Sequence, residues 1–233
     1  MRYQLFIFSL LYSIFSFGQS IEATYSHKFN DNLHNLDIKK DSIITIESKP
    51  IKYNYSYSKN KSIYKLSEAE ISKKDSIKNE YGYYDVTKSD NASRNEIFKD
   101  LAKKEFLMEY TIFDTNFSIK DNLQNFEWIF LDEETTIRGY KCKKAISNKG
   151  KFTIIAWYCE DIPINDGPDR FYGLPGFILK VELGEYSVIE IDQLKIFDKN
   201  INIEKPINKN KYLTSEKFKI EERLLFEKKA NEN

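Results

Sequence analysis

Glycine and proline are scarce in this chain, with 8 Gly and 5 Pro among 233 residues. Such a chain keeps its special-backbone residues for places where a particular loop shape is required. Three of the Gly and two of the Pro fall between Asp166 and Leu179. Histidine is scarcer still: His27 and His34 are the only two. A histidine metal site needs further ligands at coordinating distance, so none is expected through this pair. The charges cancel, 36 basic against 36 acidic residues, so no basic field argues for nucleic acid. No nucleophile elbow, phosphate loop or zinc-protease motif occurs, and Cys142 with a distant His makes no recognisable dyad. Asp132-Glu133-Glu134 is a carboxylate cluster. Paired carboxylates run acid–base chemistry only where one is desolvated, and adjacent ones in a polar turn are solvated.

The N-terminus has the form of a secretory leader. Arg2 supplies a minimal positive charge, and Gln4 to Phe17 is largely apolar and aromatic. Ser16-Phe17-Gly18 and Gly18-Gln19-Ser20 both fit a small-x-small cleavage site. Residues 1–20 therefore read as a signal peptide, and the mature chain begins near Gln19 or Ile21. No Cys follows the apolar run, which argues against a lipid anchor. No later stretch approaches membrane length. The expected location is across the inner membrane, in the periplasm or associated with the outer membrane.

What is abundant is aromatic: 16 Tyr and 17 Phe. That composition favours β-structure. Ile21–Phe29, Asp41–Ser48, Ile51–Ser58 and Ser62–Leu66 read as strands, and Tyr53, Tyr55 and Tyr57 alternate cleanly on one face. The tyrosine stripe is either a core face or an aromatic platform. Asp31–Lys40 reads as a loop and Ser67–Asn91 as a charged excursion. Asn95–Lys104 is either a short helix or an irregular approach to the next strand. Glu105–Phe113, Phe117–Lys120, Trp128–Leu131, Thr136–Ala145 and Lys151–Tyr158 follow as strands. The last two form a hairpin across Asn148-Lys149-Gly150. Phe177–Leu183 alternates, turns at Gly184-Glu185 and returns as Tyr186–Lys195. Ser215–Lys229 reads as a modest amphipathic helix capped by Ser215. The fold class is mainly β: a curved antiparallel sheet or partial barrel with one or two peripheral helices. A single domain over 21–228 and a disordered tail over 229–233 complete the expectation.

The two cysteines lie on the arms of the central hairpin. A three-residue loop would set Cys142 opposite Ala156, and a two-residue loop opposite Trp157. Neither register brings Cys142 and Cys159 into disulfide geometry, so unpaired thiols are expected.

The block from Trp128 to Val181 resembles the GLPGLI family of secreted Bacteroidota envelope proteins. The family loop appears here as Gly173-Leu174-Pro175-Gly176-Phe177-Ile178. Trp128, Thr135-Thr136-Ile137, Gly139-Tyr140-Lys141-Cys142, Lys144-Ala145, Ala156-Trp157-Tyr158, Ile162-Pro163-Ile164 and Gly167-Pro168 fit as well. Phe177 departs from the Leu of the family pattern, and Cys159 from its small polar residue. The second departure weakens any family-wide disulfide to Cys142. The resemblance implies an envelope protein associated with outer-membrane barrels and TonB-dependent transport, and it brings no catalytic set.

The candidate contact surface for a ligand or partner is Asp169, Arg170, Phe171, Tyr172, Gly173, Leu174, Pro175, Gly176 and Phe177, with Trp157. The alternative is a structural loop that plugs the core through Leu174. Asp161, Asp166 and Asp169 offer a calcium site or turn caps, with caps expected. No metal and no cofactor are expected. The functional expectation is a non-enzymatic binding module for a hydrophobic ligand or a partner protein. An assembly or accessory factor for an outer-membrane transporter is the alternative, and a hydrolase ranks third.

Overall fold

The computed structural model describes residues 19–29, 50–67, 77–79, 82–84, 94–112, 115–149, 152–206 and 211–231. Residues 1–18 of the leader read over 1–20, the loop at Asp31–Lys40, the strand at Asp41–Ser48 and most of the Ser67–Asn91 excursion lie outside them.

Among the described residues, thirteen strands form in chain order. They are β1 (Ser20–Phe29), β2 (Ile51–Ser58), β3 (Lys61–Leu66), β4 (Ile77–Asn79), β5 (Gly82–Tyr84), β6 (Arg94–Asp100), β7 (Glu105–Ile112), β8 (Thr115–Asn122), β9 (Ile129–Ile137), β10 (Tyr140–Ser147), β11 (Ile154–Cys159), β12 (Phe177–Leu183) and β13 (Ser187–Phe197). One helix, α1 (Ser215–Asn231), follows. Eleven strands make a single sheet in the order β8-β7-β6-β3-β2-β1-β13-β12-β11-β10-β9, and β4 and β5 pair separately. The named ladders are antiparallel. The expected fold class is the observed one. Strand β1 sits mid-sheet between β2 and β13, so the first and last described strands are zipped together there.

The sheet has to curl. Laid flat at about 4.8 Å per strand, its outer strands β8 and β9 would stand about 48 Å apart. Yet β8 leads into β9 through residues 123–128 alone. Seven extended steps reach about 25 Å at most. The connection crosses the mouth of the curl, with Leu123 N donating to Lys104 O at one side and Ser147 Oγ donating to Phe126 O at the other. Tight turns sharpen the hairpins. Lys59 and Asn60, and then Arg138 and Gly139, all take positive φ, the form that matches strand twist in a two-residue hairpin.

The concave face carries the core. Tyr25, Tyr53 and Tyr55 are buried there, with Tyr53 stacked on Tyr64 at 4.6 Å and Tyr55 against Phe177 at 5.3 Å. The tyrosine stripe is therefore core.

Several elements differ from expectation. Asn95–Lys104 is strand β6 and a turn, not a helix. Its interior position 99 is a lysine, and that broke the apolar alternation. Thr136–Ala145 is split by the turn at Arg138-Gly139. The β10–β11 connection runs from Asn148 to Thr153, longer than either loop considered, because Ser147 pairs with Ile154. Helix α1 extends to Asn231 and is capped one residue earlier than expected. Thr214 Oγ1 accepts from Lys217 N, and Asp121 Oδ2 accepts from Ser215 N.

Candidate functional site

The Gly/Pro loop between β11 and β12 folds inward across the concave face. Its own backbone ties it first: Phe177 N donates to Ile162 O, Gly173 N to Asn165 O and Ile178 N to Asp166 O, all at 2.9–3.0 Å. At its centre Asp166 is fully buried and meets Lys99 of β6, also fully buried, at 2.5 Å. Lys99 Nζ further donates to Gly167 O at 2.7 Å and Phe171 O at 3.2 Å. The ammonium is thus held by two carbonyl acceptors and one carboxylate. Tyr55 donates to the second Asp166 oxygen at 2.9 Å, and Tyr25 to Ile178 O at 2.8 Å. Burial pushes both phenols well above the ordinary tyrosine range, and the Asp166 charge adds to it. Burial also draws the Lys99 ammonium below its usual value against the pull of Asp166. A buried ion pair of this kind fixes a single arrangement, because removing either partner strands a charge.

Steric fit explains one of the glycines, and backbone conformation a second. A Cβ on Gly176 would stand 2.2 Å from the Cys159 carbonyl oxygen, so only glycine lets the loop pass β11. Gly173 takes φ +89°, and beside it Trp128 Nε1 donates to Tyr172 O at 2.9 Å.

The expected contact residues therefore divide. Asp169, Phe171, Leu174, Gly176 and Phe177 are buried. Arg170 and Tyr172 are half-buried, and Gly173 and Pro175 are exposed. The Arg170 guanidinium lies over Phe106 at 5.8 Å. Trp157 is on the convex face, half-buried, with Lys144 over its ring at 5.5 Å and its Nε1 donating to Glu182 at 3.2 Å. The plugging role weighed for Leu174 is the one the structure displays. Asp166 is neither a calcium ligand nor a turn cap, because Lys99 holds it. Lys99 was missed outright. Its signal was a charged residue two places after Ile97, in the inward phase of a strand.

Among the described residues, no group of three His, Cys, Asp or Glu is placed to hold a metal. His27 is buried, its Nε2 at 3.1 Å from Ser187 Oγ. His34 lies outside the described residues. A polar groove of about 380 Å³ opens on the convex face between Ser26, Lys52, Arg138 and Asp192. Three of its charges engage one another: Lys52 meets Asp192 at 2.7 Å, and Arg138 meets Asp192 at 3.6 Å and donates from Nε to Ile191 O.

Among the described residues, the sheet ends openly at β9, its last strand. One inner row runs Phe130, Ala145, Ala156, Val181, Ile189, His27 across five ladders. The five residues after Phe130 are buried, whereas Phe130 is 57% exposed. On the other face Ile129 is 51% exposed. The core face thus runs out to an edge with nothing beyond it among the described residues. Further along, Asp132, Glu133 and Glu134 lie within β9 and not at a strand end. Glu133 pairs with Lys144 at 2.9 Å and Glu134 with Lys141 at 2.7 Å, across a bulge in the register. Charges and a bulge are the usual guards of an exposed edge.

A family model described as "Protein of unknown function (Porph_ging)" matches residues 43–180. The chain belongs to this family. Two structures of PNGF-II, in different space groups, share the fold. One is 18% identical with a TM-score of 0.55, covering 86% of this chain and 32% of its own. The other is 20% identical with a TM-score of 0.50, covering 79% and 28%. The chain spans about a third of the length of the structures it matches. No curated protein matches the sequence.

Proposed function

We propose that this is a secreted envelope protein of the GLPGLI type that binds a partner protein, without catalysis, by adding an extended segment of the partner to β9. The observation that carries this reading is the inner row that stays buried from Ala145 to His27 and opens at Phe130. A strand with no ladder on one side among the described residues, an aromatic on one face and an isoleucine on the other suits strand addition. The loop fills the concave face with its own side chains, which favours a partner over a hydrophobic ligand held in the curl. Asp166 and Asp169 are buried, but Asp166 is neutralised by Lys99 beneath the loop, which disfavours a hydrolase. The resemblance points to an outer-membrane transporter as the partner class. No described helix is long and apolar enough to cross a membrane.

Burial favours the first of the two cleavage sites of the proposed leader. Ser20 is fully buried, with Oγ donating to Ser58 Oγ at 2.9 Å, so cleavage after Gly18 keeps β1 whole.

Native mass spectrometry of the protein purified from its own envelope tests the proposal. The expected result is a stoichiometric protein partner that Phe130→Asp releases. A bare protein, a bound lipid alone, or a partner retained by Phe130→Asp would overturn it.

A further inference from the structure

The hairpin that carries the two cysteines has a register whose continuation by one position sets them opposite each other. Ser147 pairs with Ile154, Ala145 with Ala156 and Lys143 with Tyr158. The next position on each strand is Cys142 and Cys159. Directly opposite residues of an antiparallel pair share a face and lie about 4.5–5.5 Å apart at Cα. That separation falls inside the range of about 4.4–6.8 Å that disulfides span. The two-residue and three-residue loops considered from sequence gave other partners, because the real connection is longer. Both side chains are fully buried, and both are thiols in this structure. Neither therefore presents itself to a metal or a surface reagent.

We propose that Cys142 and Cys159 are a cross-strand redox pair that closes to a disulfide when the chain folds in an oxidising compartment. The compartment rests on the secreted reading above; the pairing rests on the register alone. The oxidant is a dithiol carrier in its disulfide form, the class of reagent such compartments hold. One cysteine thiolate attacks a carrier sulfur, and the S–S bond of the carrier breaks to leave a mixed disulfide and one carrier thiolate. The second cysteine thiolate attacks the protein sulfur of that mixed disulfide and expels the other carrier sulfur. The two thiol protons end on the carrier, which gains two electrons while the pair loses two. Thiolate is the exchanging species. Burial, with the neighbouring Cys159, pushes the Cys142 thiol up to about 12, and burial also raises Cys159. Exchange is therefore slow once β10 and β11 have packed, and the bridge has to form before or during closure of the hairpin.

The test is oxidative refolding of the full chain in a glutathione redox buffer, then alkylation under denaturing conditions with and without reductant. We expect no added alkyl group before reduction, two after it, and one cross-linked peptide holding both cysteines. Reducing the bridged protein should lower Tm by roughly 6–12 °C, as a short closed loop predicts. Two alkylated thiols after oxidative refolding, or disulfides made only to glutathione or between chains, would overturn the pairing. A second arm expresses the chain with its own N-terminal segment in a bacterial host and quenches it in acid. A bridge in the refolded protein with a cytoplasmic, uncleaved, reduced chain in the host would sink the secreted reading and leave the pair standing.

Discussion

The two edges of the sheet are finished differently. Strand β8 is covered by its own chain: Leu213 bridges Ile119 in parallel, with hydrogen bonds of 2.8 and 2.9 Å to Ser118 and Lys120. Helix α1 then lays Phe218 between Tyr110 and Phe117, at 5.3 and 5.4 Å. Strand β9 has no such cover among the described residues. Its carboxylates and bulge guard one half, and Ile129 and Phe130 are left open in the other. An edge that is capped by the chain needs no further protection, whereas one guarded over half its length leaves a defined place for a partner strand.

The largest expected effect is on the knot that holds the curl between these edges. Lys99→Ala strands the Asp166 charge in the core and should cost about 3–5 kcal/mol in chemical denaturation. A loss below about 1 kcal/mol would mean that the ion pair does not fix the loop. Next is Phe218→Ala, which takes the anchor of α1 off β8. It should cost about 2 kcal/mol, less than a central core phenylalanine. It should also turn β8 into a second open edge, read as concentration-dependent association by light scattering. Unchanged stability and a monomer would show that Leu213 covers the edge unaided.

Acid distinguishes the edges more gently. Burial raises the Asp121 carboxyl, but the Ser215 and Asn122 backbone hydrogen bonds outweigh it and hold the group below its ordinary value. The unfolded chain then binds more protons than the native one between those two values. The contribution is present above the ordinary aspartate range and is lost as pH falls through the folded value. Hydrogen exchange of α1 should accelerate below that range in the wild type. Asp121→Asn should remove the pH step, and an identical step in the variant would assign it to another group. The smallest effect on stability is expected at the open edge. Phe130→Asp should shift unfolding by no more than about 0.5 kcal/mol, because more than half of the residue is already exposed. A much larger loss would place Phe130 in the core and withdraw it as a docking residue.

Much of the fold was legible because its signals are local. The alternation of Tyr53, Tyr55 and Tyr57 marked β2, Phe177 to Leu183 marked β12, and the clustered Gly and Pro marked the one elaborate loop. The misses share a cause. Asn95–Lys104 was misread because Lys99 occupies an inward position that only a distant carboxylate makes tolerable. The cysteines were misplaced because a few extra loop residues change every partner along the hairpin. Of the candidate contacts, Leu174 and Phe177 are as apolar as any docking residue, and sequence does not say on which side of a loop they fall.

Strand periodicity, the punctuation by Gly and Pro and the aromatic supply were fixed by the chain itself, since each acts over a few residues of backbone. The tertiary structure alone decided three things. It set Lys99 against Asp166 and gave β10 and β11 a register whose next step puts Cys142 beside Cys159, and among the described residues it left β9 uncovered while covering β8. Each is a matter of which distant segments become neighbours, and that follows from register and curl across the whole sheet, which no local pattern encodes.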